Sequence, residues 1–161
     1  PCLLECATRL SGGFDHMFTA PLATGKDITG AMLDYSLGLG INHEKLQSKK
    51  GGYACALAPI YPPGRIKGWR KPDETPKGVR QIIIREMVEI KQPRDCAGRP
   101  AFVIAEGSTQ VEAFENARNG AEVLHPIYED DSEGRCGEWP DWERGLTRIN
   151  TQFGAERRKN V

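Results

Sequence analysis

His16 and His43 are the side chains in this sequence best suited to moving protons at neutral pH, since the imidazole pKa of about 6.5 lies closest to it. His16 ends the run Gly12-Gly13-Phe14-Asp15-His16, a glycine-opened turn with a carboxylate beside the ring. His43 stands next to Glu44 and Lys45. Metal-independent RNA cleavage needs a base for the 2′-hydroxyl, an acid for the leaving oxygen and cations for the phosphate. His16 and His43 suit the first two roles, and Arg65, Lys67 or Arg70 the third. The competing expectation for each histidine is an ordinary structural or surface role. His125, before Pro126, is placed to cap the C-terminus of a helix.

A second group of residues has chemistry of its own. Lys45, Lys49 and Lys50 crowd one short segment, and Arg65, Lys67, Arg70 and Lys71 crowd another that also holds Tyr61 and Trp69. Cations for phosphates beside flat rings for bases are what recognition of single-stranded RNA requires. The formal net charge is zero, yet residues 45–99 carry thirteen Lys/Arg against five Asp/Glu, and residues 100–145 carry three against eleven. The bland alternative is that the basic residues solvate the surface or pair with the acidic run Glu129, Asp130, Asp131 and Glu133. Geometry decides: halves that pack together make the signal structural, and halves that face apart leave a basic face as a site.

Other chemistries are excluded by spacing. Gly25-Lys26 is followed by Asp27 where a phosphate loop needs Ser or Thr, and Ala20 stands where its first glycine should be. Gly38-Leu39-Gly40 lacks the third glycine of a dinucleotide fingerprint. No GxSxG, HExxH or CxxC occurs, and the acidic run at 129–134 is read as a solvated turn, so neither a metal site nor a cofactor is expected. The five cysteines (Cys2, Cys6, Cys55, Cys96 and Cys136) are odd in number and scattered, which reads as reduced thiols. No apolar run approaches the ~20 residues that cross a bilayer, so no membrane insertion is expected. The chain starts at Pro1 rather than Met. The expected location is the cytoplasm, or wherever a larger secreted protein delivers this chain as a fragment.

The elements that must position these residues read as α+β: N-terminal helices, an antiparallel sheet of three or more strands, and one packing helix after the last main strand. A single domain over residues 1–161 is expected, with 1–13 and 150–161 peripheral. Asp27 is an N-cap for a helix through Ala31, Met32, Leu33, Tyr35 and Leu37. Asn42 caps a second short helix, 43–50, stopped by Gly51-Gly52. Residues 53–61 and 79–91 read as strands, the latter with a bulge or an exposed edge, because Arg80, Ile82, Ile84 and Glu86 cannot share a core face. Residues 62–78, with four prolines and five basic side chains, read as a long exposed loop. A strand at 101–105, the turn at Gly107, the capping pair Thr109 and Glu112, and the periodic Val111, Phe114, Ala117, Ala121 and Leu124 form a β–α unit. The order helix, three strands, helix is also that of double-stranded-RNA-binding domains. The loops here are much longer, and Glu112 and Glu115 stand where that module is basic, so that family is not assigned.

The leading expectation is a small nucleic-acid-acting domain, RNA before DNA, of the delivered-toxin ribonuclease type with an inhibitory or immunity protein as partner. The alternative is a non-catalytic protein-interaction domain with complementary basic and acidic faces. A third reading, a small-substrate enzyme with His16 and glycine-rich turns at its pocket, rests on less.

Overall fold

The computed structural model describes residues 14–49, 51–91 and 99–136, together with Leu10 and Gly12. Their architecture is α+β, built on two three-stranded antiparallel sheets. The first sheet has the order β1 (Tyr53–Leu57), β5 (Ala101–Gly107), β3 (Val79–Ile84). The second has the order β4 (Val88–Ile90), β2 (Gly64–Arg70), β6 (His125–Tyr128). The termini expected to be peripheral lie outside the described residues, apart from Leu10 and Gly12.

β5 and the helix after it form the centre. Val103, Ile104 and Ala105 are fully buried, as a central strand covered on its faces requires. Gly107 turns the chain, and α3 (Gln110–Glu122) begins with Thr109 Oγ1 accepting from the Glu112 amide at 3.1 Å. Glu112 reaches back and accepts from the Ser108 amide at 2.8 Å, one residue beyond the usual capping-box partner. Ala113, Ala117, Gly120 and Ala121 line the buried face of α3. These small residues let the helix sit close to the sheet: a Cβ on Gly120 would come within 2.8 Å of Val79 and Val103.

Four expectations change on folding. Residues 79–91 do not make one strand. β3 stays in the first sheet, the chain bends through Arg85-Glu86-Met87, and β4 joins the second. The expected irregularity is present, since the register of β3 on β5 shifts between Val79 and Gln81 and β3 is an edge. Residues 62–78 are not all loop, because β2 runs through them as the central strand of its sheet. A bulge between Ile66 and Gly68 makes this possible. It turns both Ile66 and Trp69 to the core with Tyr61, Ile90, Leu124 and Tyr128, and leaves Arg65, Lys67 and Arg70 outside. The 43–50 helix shortens to one 3₁₀ turn, His43–Leu46, capped by Asn42 Oδ1 on the Glu44 amide. The strand expected over 53–61 ends at Leu57, and Tyr61 enters the core instead.

The N-terminal part makes a short arm. A π-turn (Asp15–Thr19) leads into α1 (Ala20–Thr24) and α2 (Ile28–Ser36). Asp27 Oδ1 accepts from the Gly30 amide at 2.8 Å and starts α2. The arm is held to the first sheet by Phe14, which meets Phe102 edge to face with centroids 4.9 Å apart. α2 itself packs on the π-turn and the 3₁₀ turn, and buries only Ala31.

Candidate interaction surfaces

The solvent face of β2 holds the cations that the sequence singled out, and each has a carboxylate. Arg65 lies 3.5 Å from Glu129, Arg70 lies 2.7 Å from Glu133, and Lys67 pairs with Asp131. These acids belong to one turn that doubles back on β6: the Tyr128 amide donates to Ser132 O at 2.9 Å, and the Gly134 amide to Pro126 O at 2.8 Å. The Glu129 amide also donates to Arg65 O, which extends β6 along β2. Asp130 faces its own turn, where the Ser132 hydroxyl and amide hold its carboxyl below the usual range. Basic strand and acidic turn therefore meet within one molecule. Their charges cancel locally, which is the outcome that makes the segregation along the chain structural.

The other predicted contact residues scatter. Lys71 pairs with Glu86 at 3.4 Å. Lys45 pairs with Asp34 at 2.8 Å on the arm, and that hydrogen-bonded carboxylate raises its pKa. Lys49 is exposed beside it, its amide donating to Thr24 O, and Lys50 lies outside the described residues. Tyr61, expected as an exposed ring for base stacking, is only 3% exposed, and its hydroxyl donates to Leu124 O at 2.9 Å. Trp69 is half-buried against Tyr61, with its indole N–H donating to Arg85 O. Neither ring stands free on the surface for a base.

The histidines sit apart from those cations. His16 is in the π-turn, where its carbonyl accepts from Thr29, and His43 opens the exposed 3₁₀ turn. Both are on the arm, whereas Arg65, Lys67 and Arg70 are on the second sheet. His125 does not cap α3. It begins β6, with Nδ1 at 3.2 Å from Gly134 O and 3.7 Å from Glu133.

Two clefts remain. One, of about 380 Å³, opens at the start of α3 between Gly52, Gly78, Gly107 and Asn116. Its two carboxylates are engaged: Glu106 with Arg80, and Glu112 with Ser108 and, at 3.8 Å, Lys77. The other, of about 420 Å³, lies between residues 62–65 and the acidic turn. Among the described residues no group of three or more His, Cys, Asp or Glu gathers as a metal site. No helix among the described residues is long and apolar enough to cross a membrane.

The most unusual surface is one that charge and motif reading passed over. Leu33 (58% exposed), Tyr35 (60%), Leu37 (74%) and Leu39 (73%), with Met32, Ile41 and Leu46, stand in water along α2 and the chain that follows it. The available signal was composition: a nine-residue helix with apolar residues on both sides of Asp34, and no strand of its own to cover them. No protein-family model, curated protein sequence or solved structure matches this chain.

Proposed function

We propose that this chain is a non-catalytic protein-interaction domain that docks on another folded polypeptide through its N-terminal arm. One observation carries the reading: seven large apolar side chains stand exposed on and after a helix whose only buried residue is Ala31. Five of them, Leu33, Tyr35, Leu37, Leu39 and Ile41, are more than half exposed. Large apolar side chains exposed together on one short segment mark an interaction surface more often than singly scattered ones. A nine-residue helix is also too short to be stable in isolation and takes its stability from packing. The charged faces proposed for this role from sequence are set aside, because Arg65, Lys67 and Arg70 already meet Glu129, Asp131 and Glu133.

The test is a variant with Leu33, Leu37 and Leu39 changed to serine. Exposed substitutions of this kind shift stability by less than about 0.5 kcal/mol. The fold is expected to persist, while binding of an apolar reporter dye and concentration-dependent association disappear. A wild-type chain that binds no dye and stays monomeric at high micromolar concentration, indistinguishable from the variant, contradicts the reading.

A second reading, RNA binding with or without cleavage, is supported by the exposure of the β2 cations. Surface pairs of this kind contribute roughly 0–1 kcal/mol each, so phosphates could replace the carboxylates at modest cost. The cleavage version asks more, since His16 and His43 are on a different element from those cations. Salt-dependent binding of the wild-type chain to single-stranded RNA supports this reading, and no binding at low salt removes it.

A further inference from the structure

Three cations in a row on one strand, each facing one acid of a single turn, are more ordered than scattered surface pairing requires. Arg65 and Lys67 are two residues apart, about 6.6 Å along a strand. The bulge between Ile66 and Gly68 then brings Arg70 to the same face although it is three residues on. The facing acids also recur at every second position: Glu129, Asp131 and Glu133. The turn is built to hold them there. Asp131 takes a left-handed backbone conformation (φ 66°), its amide donates to Tyr128 O, and Ile127 pairs with Glu133 as the chain returns. Asp130, the acid left out of the row, is tied down by Ser132.

We propose that the acidic turn is an internal phosphate mimic. Its three carboxylates occupy, on the solvent face of β2, the cations that would otherwise track the backbone of a single-stranded RNA. The inference rests on the nucleic-acid reading given above as the second one, and it adds the regulation of that site. With the turn in place the row is neutral, with three positive and three negative charges. With the carboxylates neutralised it carries three positive charges on an exposed strand, the electrostatic footprint that a phosphodiester chain follows. The long side chains of Arg65 and Arg70 remain largely in water and need no rearrangement of the core to change partners.

The experiment uses the full chain and a fluorescent single-stranded RNA of about 15 nucleotides at low salt, a length that spans one such groove. The Glu129→Gln, Asp131→Asn, Glu133→Gln triple variant is expected to bind at least about tenfold more tightly than wild type, with a steeper salt dependence. Adding Arg65→Gln, Lys67→Gln and Arg70→Gln is expected to reverse the gain and remove about 2 from the log–log salt slope, or ~0.7 per lost phosphate contact. A triple variant that keeps the wild-type unfolding transition and gains no affinity overturns the mimic. If wild type binds RNA through these cations and the triple variant binds equally, the mimic fails alone. If neither protein binds, the nucleic-acid reading fails with it. Should the triple variant unfold, Asp131→Asn alone reports on the same contact: a gain over wild type is expected, and no gain overturns the mimic.

Discussion

Tyr61 is the residue whose role changes most between the linear chain and the fold. Its ring fills the core of the second sheet, and its hydroxyl donates to Leu124 O, 63 residues away in sequence. Burial pushes its phenol pKa well above the usual range, with lesser contributions from Cys136 and Tyr128. The sign of the pH effect follows. The folded state holds the proton more tightly than the unfolded chain, so the contribution is fully present below pH ~10 and is lost as pH rises above it. Tyr61→Phe is expected to lower stability by about 1 kcal/mol at neutral pH, the net contribution of a buried hydrogen bond. Denaturant unfolding should also show a shallower loss above pH ~10 than in wild type, and an unchanged alkaline profile would contradict this. By contrast, replacing Arg65, Lys67 or Arg70 singly by Gln is expected to cost less than about 1 kcal/mol, because these pairs are exposed. Nothing local distinguishes the two classes. Tyr61 sits between Ile60 and Pro62-Pro63 in a basic neighbourhood, and only the distant Leu124 carbonyl makes it a core residue.

Among the elements, α3 was the most legible and β2 the least. Thr109, Glu112 and the spacing of Phe114, Ala117 and Ala121 are local signals, and the fold uses them where they stand. Thr109→Ala is expected to cost about 1 kcal/mol through loss of the cap, read by thermal unfolding. Gly120 tests the packing behind that helix. In an exposed helix Gly→Ala stabilises by roughly 1 kcal/mol. Here the added methyl would lie 2.8 Å from Val79 and Val103, so Gly120→Ala is expected to destabilise by about 1–3 kcal/mol. A stabilised variant would show that α3 has room to move. β2 was hidden by its bulge: Ile66 and Trp69 are three apart, an alternation that no regular strand shows, and prolines and charges surround them. The break at Arg85-Glu86-Met87 was equally hidden, because Ile84 and Val88 satisfy one pattern while serving different sheets.

For the whole molecule, charge proves to be an internal matter and apolar surface an external one. The basic and acidic stretches meet across β2 and the turn after β6, so the neutral total is matched by neutrality at the place where the charges concentrate. The α+β class was readable from the order of elements, but the division into two sheets was not, since it depends on pairings between strands far apart in sequence. The arm was legible as a helix and illegible as a surface, because exposure of Leu33, Leu37 and Leu39 is a property of what does not pack against them. An apolar interface there is expected to hold or strengthen with salt, whereas a charged one would weaken, because screening acts on charges. The central claim is tested most directly by site-specific photo-crosslinking from position 37 in cells producing the protein, with exposed Gln81 on β3 as the control position. The expected result is a discrete protein adduct from position 37 that position 81 does not give and that Leu33→Asp with Leu39→Asp abolishes. No adduct from position 37, or the same adduct from both positions, would contradict a docking role for the arm.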